Sequence, residues 1–249
     1  MDYNKSFINR ASSYMYAMNN YPNALENEFT NAIKILDPLP NEVIMNIPSG
    51  GVFLEKYLNN NIIYKSYETS LEFAQLTDIS YCLYTQIPEN NNSIDKVIVL
   101  ANLHHSNNEE RKQIYKEIHR IIKPNGKFII GDVIKTSKQD DWLNIFVDSY
   151  NTNGHNGIFW NDPKINPVDK KLLEECGFSV ETIITNYTWN FDSKDNMLDF
   201  CKNLFGLDKI NDNNILFDGL NKYLIIKNID NKYFIDWQLI YFISTKLNP

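Results

Sequence analysis

Two adjacent histidines, His104 and His105, follow the apolar run Val97-Ile98-Val99-Leu100-Ala101, and a third, His155, lies in the glycine-flanked stretch NTNGHNGIFW (Asn151 to Trp160). Imidazole exchanges its proton near neutral pH, so His105 and His155 are candidates for a general base. Adjacent residues on an extended chain point to opposite faces. That places one of the pair toward a ligand cleft and argues against both binding one metal ion. No CxxC pair or His-x-x-x-His spacing adds a site elsewhere, and no metal is expected. The alternative is a structural histidine bonded to a neighbouring loop.

Two further features carry chemistry. Asn46-Ile47-Pro48-Ser49-Gly50-Gly51 ends an apolar run in a turn whose glycines let a backbone approach a ligand closely. Glu68 lies 22 residues beyond Asn46, at the end of NIIYKSY. A carboxylate at the end of a second strand is where nucleoside sites hold both ribose hydroxyls. The alternative for Glu68 is a solvated loop residue. Thr69 and Ser70 beside it can cap the following helix.

These residues need elements to position them. Leu25, Phe29, Ala32, Ile33 and Leu36 recur at helical spacing and stop before Pro38. Short apolar runs at Glu42 to Ile47, Asn61 to Tyr67 and Asp95 to Ala101 read as buried strands. A third strand is expected within Ile79 to Tyr84, and helices from Leu54, from Leu71 and over Asn108 to Lys123. Pro124-Asn125-Gly126 ends the last of these before the strand KFIIGDVI. Such alternation predicts a doubly wound α/β fold with a mostly parallel sheet and helices on both faces. After a helix over Val168 to Cys176, FSVETIITNYTWNF and YFIDWQLIYFIST read as two final strands. About forty residues between them read as helices.

Composition narrows the function. The 249 residues carry a net charge of −7, with Lys/Arg clusters no longer than pairs, which argues against a nucleic-acid partner. The N-terminal residues lack the apolar core of a signal peptide, and no apolar run spans a bilayer, so no membrane partner is expected. Three scattered cysteines, Cys82, Cys176 and Cys201, suit a reducing, cytoplasmic setting.

Residues Ser93 to Val133 resemble a segment of the class I S-adenosylmethionine-dependent methyltransferases. Asp95, Leu103-His104-His105, Ile122-Lys123-Pro124-Asn125-Gly126 and Asp132 match its acidic strand start, "LHH", "LKPGG" and closing Asp in order and spacing. FINRASSY (Phe7 to Tyr14) is similar to the opening helix of the small-molecule branch. The resemblance implies a seven-stranded Rossmann-like sheet with a reversed last strand, and S-adenosylmethionine as cofactor. It implies cofactor contacts at Asn46, Ile47, Pro48, Gly50, Gly51, Glu68 and Thr69. Further contacts are implied at Leu83 and Tyr84, where the family often has an Asp near the adenine, and at Leu100 and Ala101. The family's first motif is altered: Asn46 replaces its acid, Pro48 its first Gly and Val52 its last.

The implied reaction is methyl transfer to an oxygen, nitrogen or carboxyl of a small molecule held by Tyr14, His105, His155 and Trp189. One domain is expected. An N-terminal helical lid (1–37) and a helical cap (192–230) would close over a Rossmann-like core (38–191 and 231–249), with Trp189, Phe191, Phe200 and Phe205 enriching the lid in aromatics. A monomer or homodimer is expected. A nicotinamide dehydrogenase is disfavoured, because neither Gly-x-Gly-x-x-Gly nor a Tyr-x-x-x-Lys pair after the fourth strand is present. A non-catalytic methyltransferase-like partner protein is the remaining alternative.

Overall fold

A computed structural model describes residues 10–59 and 61–248. Its centre is a seven-stranded sheet made of β1 (Val43–Asn46), β2 (Ile63–Ser66), β3 (Ile94–Leu100), β4 (Ile122–Asp132), β5 (Phe178–Phe191), β6 (Ile225–Ile229) and β7 (Lys232–Lys246). The order is β2-β1-β3-β4-β7-β5, with β6 on β7. β1 to β4 run parallel, and β7 is antiparallel to β4, β5 and β6. The central strand β3 reads IDKVIVL and is buried or nearly so throughout, as a parallel strand covered on both faces must be.

Helices cover both faces. On one lie α4 (Asn108–Ile121) and α6 (Val168–Glu174), which set Ile114, Tyr115, Ile118 and Leu173 against Val97, Val99 and Phe128. The other face carries α2 (Glu26–Leu36), α7 (Lys194–Leu204), α8 (Asn213–Tyr223) and a helix over 138–150, α5, whose middle, Trp142–Val147, is π-helical. Above the C-terminal strand ends lies α1 (Ala11–Asn20), with α3 (Leu71–Thr77) beside it.

Three elements differ from the sequence expectation. The strand expected within Ile79 to Tyr84 is reduced to two isolated bridges, Tyr81 with Glu68 and Leu83 with Gln86. The helix expected from Leu54 is one 3-10 stretch, Phe53–Tyr57, entered through Val52 in the left-handed region at φ 59°. The segment expected as an all-helical cap ends in β6, which pairs in tight register with β7 (Ile229 opposite Lys232). Phe7 lies outside the described residues.

Candidate functional site

The turn after β1 is shaped by its glycines. Gly50 and Gly51 adopt φ of 59° and 95°. A Cβ on Gly50 would stand 3.1 Å from the Tyr14 hydroxyl, so the loop passes α1 closely at this point. Glu68 folds back onto the loop. Its Oε1 accepts from the Gly50 amide at 2.6 Å and from Ser49 Oγ at 3.0 Å. Burial pushes the Glu68 carboxyl up to about 7, although Ser49 and the loop amides pull the other way. Glu68 Oε2 and Asn46 Oδ1 are buried with no hydrogen-bond partner. Two unsatisfied acceptors beside a side-chain-free turn fit a ligand that brings hydroxyl and ammonium donors.

The histidine pair does not diverge as expected. Ala101 takes φ 45°, and Leu103–His105 form a 3-10 turn instead of continuing the strand. Successive side chains on such a turn lie about 120° apart rather than 180°, and the two rings approach to 4.1 Å between centroids. His155 completes the group at 5.3 Å from each. All three are buried, with 4%, 7% and 5% of their surface exposed for His104, His105 and His155.

Each histidine segment is held from behind. Asp132, at the end of β4, accepts from the His104 amide at 3.2 Å and from Nδ1 at 2.8 Å. Asn144, on the π-helical stretch of α5, accepts at Oδ1 from the Gly157 amide at 2.7 Å and from His155 Nδ1 at 3.2 Å. Its Nδ2 donates to Gly157 O and Asp140 Oδ1, which fixes the amide orientation. The Ile158 amide donates to His104 O. Arg111, fully buried on α4, ties the segments together by donating to Leu103 O, Ile158 O and Asp169 Oδ1. The capping box of Asn107 and Glu110 starts α4 directly after the histidine turn. Burial first, and then the neighbouring imidazoles, hold His105 well below the usual histidine range, and His155 is lowered for the same reasons.

The opposite wall is aromatic. Trp189 on β5 and Trp237 on β7 stack at 4.0 Å, and Trp189 Nε1 donates to Glu28 Oε2 at 2.9 Å. Burial raises Glu28 to about 7, against the pull of the Trp189 hydrogen bond.

One cavity, about 1150 Å³ with its opening to solvent, joins these parts. Of the residues singled out from sequence, Tyr14, Asn46, Pro48, Gly50, Glu68, Leu100, Ala101, His105, His155 and Trp189 line it. Five do not. Ile47 is core, and Gly51 packs on Met15 and Phe53. Thr69 is buried behind the loop, and Leu83 is 46% exposed. The Tyr84 hydroxyl is spent on Asn102 Oδ1 at 2.7 Å. Sequence reasoning missed Glu28, Asn144 and Trp237. Glu28 had a signal: it is three residues after Leu25, on the apolar face of α2.

Residues 60–130 match a family model described as "Methyltransferase domain". Over those residues the chain is similar to methyltransferases. No curated protein matches it in sequence. Solved structures agree on the fold. The YcgJ protein of Bacillus subtilis is 10% identical, with a TM-score of 0.61 over 90% of this chain and 100% of that one. A Thermotoga maritima S-adenosylmethionine-dependent methyltransferase, described as a possible histamine N-methyltransferase, is 14% identical, with a TM-score of 0.57 over 98% of each chain. Phosphoethanolamine N-methyltransferase 2 of Haemonchus contortus, solved with S-adenosylmethionine, is 15% identical, with a TM-score of 0.59 over 100% of this chain and 60% of that one. No helix among the described residues is long and apolar enough to cross a membrane.

Proposed function

We propose that the chain is a class I S-adenosylmethionine-dependent methyltransferase that acts on a small molecule, at an oxygen, nitrogen or carboxyl, inside the cavity between the glycine turn and the aromatic wall. The carrying observation is that six of the candidate cofactor residues, Asn46, Pro48, Gly50, Glu68, Leu100 and Ala101, and the three histidines line one cavity, walled by α1 on one side and by Trp189 and Trp237 on the other. The two solved relatives named for amine acceptors support a small acceptor by fold analogy.

In this reading Glu68 Oε2 receives the ribose hydroxyls, Asn46 Oδ1 the ammonium, and Gly50 leaves room for the backbone to approach. The cofactor supplies a methyl group already activated on sulfonium sulfur, so the protein's work is alignment and exclusion of water. Tyr14, Leu204 and Phe205 cover the cavity. His105 and His155 offer uncharged imidazole to an acceptor that must shed a proton, and Glu28 offers a second acceptor for that proton.

Calorimetric titration of the full chain with S-adenosylmethionine and its demethylated product tests the assignment. Heat of binding is expected with both, and Glu68→Ala is expected to weaken them by about 1.5–3 kcal/mol, roughly 10- to 150-fold, as for hydrogen bonds to a charged group. An unchanged affinity in that variant places the ribose elsewhere.

A further inference from the structure

The histidine cluster is more elaborate than a general base requires. A base needs one imidazole with a free lone pair. Here three ring nitrogens, one from each of His104, His105 and His155, lie within 4.8 Å of one another in a buried pocket. Two of the rings are also fixed from the outside. The Asp132 carboxylate and the Asn144 carbonyl oxygen can only accept, so His104 and His155 each carry their proton on Nδ1 and keep a lone pair on Nε2. A carboxylate or amide oxygen behind the ligating imidazole is the usual support of a metal-binding histidine. The backbone is braced as well: Arg111 joins the His104 turn to the His155 loop, and a π-helical turn carries Asn144.

We infer that His104, His105 and His155 form a three-imidazole site for a divalent transition-metal ion of the kind Zn²⁺ represents, with its open coordination position facing the cavity. Three protein nitrogens and one open position is the arrangement of catalytic rather than structural zinc. Ligands that are all imidazole favour Zn²⁺, Co²⁺ or Ni²⁺ over Mg²⁺ or Ca²⁺, which prefer oxygen. A Zn–N length of ~2.05 Å in tetrahedral geometry puts the nitrogens roughly 3.4 Å apart, so ligation draws the rings together by about 1.4 Å at most. The sequence expectation of no metal rested on divergent side chains at positions 104 and 105, and the 3-10 turn removes that reason. With the metal bound, the open position would take an acceptor's heteroatom and favour its deprotonated form, replacing His105 and His155 as the proton acceptors and leaving Glu28 to receive the proton. That consequence rests on the small-acceptor reading, whereas the metal site does not.

The test is titration of the metal-stripped full chain with Zn²⁺ by calorimetry and with Co²⁺ by visible absorption. One equivalent of each is expected, with the intense d–d bands of a four-coordinate Co²⁺. His155→Ala should abolish the saturable binding. Asp132→Asn and Asn144→Ala should each weaken it about 10- to 100-fold. His119→Gln, on the far face of the sheet, should leave it unchanged. Absence of saturable binding to the native chain overturns the site, and so does Co²⁺ binding of equal strength in His155→Ala. The native titration decides even where a variant fails to fold. S-adenosylmethionine titrated in parallel separates the two readings: metal without cofactor sinks the cofactor placement alone, and cofactor without metal sinks this site alone.

Discussion

Arg111→Met should destabilise the folded state by about 3–5 kcal/mol, because it leaves the buried Asp169 carboxylate without a counter-charge. For a chain of this size that is a fall of roughly 6–20 °C in melting temperature. The guanidinium is fully buried over the Trp160 ring, 3.2 Å from Asp169 Oδ1, and also serves Leu103 O and Ile158 O. Asn161 still donates to Asp169 through its backbone amide and Nδ2, but it brings no charge. Adding Asp169→Asn should therefore recover part of the loss, since no lone charge remains. A thermal melt of the single variant that overlays the native one would show that the two histidine segments are held by something other than this arginine.

Glu28→Gln should stabilise the protein at pH 8 by about 3 kcal/mol and change little near pH 4. The folded carboxyl titrates at about 7 against an ordinary 4.5. Between those values the folded state holds a proton that the unfolded chain has lost. Stability contributed by the neutral carboxyl is thus present below 4.5 and is lost as pH rises through 7. A gap of about 2.5 units at ~1.4 kcal/mol each sets the size. Glutamine keeps an oxygen to accept from Trp189 Nε1, which limits the change to the charge. Urea midpoints of native and variant proteins at pH 4, 6 and 8 give the measurement. Equal midpoints at pH 8 would mean that Glu28 ionises without cost, and that its burial is relieved by solvent in the cavity.

The central sheet was legible because β3 and α4 carry their signals locally: an unbroken apolar run in one, a capped amphipathic stripe in the other. The position of Glu68 was legible for the same reason, just past the end of the second strand in an alternating chain. What escaped depends on dihedral angles that composition does not display. Ala101 in the left-handed region turns an apparent strand end into a 3-10 turn, and with it two diverging histidines into neighbours. The π-helical stretch around Asn144 has an ordinary helical sequence, and its partner His155 is eleven residues away in a loop. Tyr84 was read as a candidate lining residue, yet a hydrogen bond to Asn102 directs its hydroxyl away, a choice only the tertiary fold makes.

The two walls of the cavity differ in what it takes to move them. Trp189 and Trp237 stand on a ladder of fourteen consecutive β5–β7 pairs running from Phe178 opposite Lys246 to Phe191 opposite Tyr233. Retracting that wall would mean unzipping the sheet. The facing wall, α1, is fastened to α7 by side chains: Arg10 to Leu204 O, Ser13 to Asn203 O and Tyr21 to Asp199. Of the two walls, α1 is therefore the one that can move without breaking the sheet. In the proposed reaction the rigid aromatic side would gauge how thick an acceptor can be, and α1 would be the side that admits it and lets the product go.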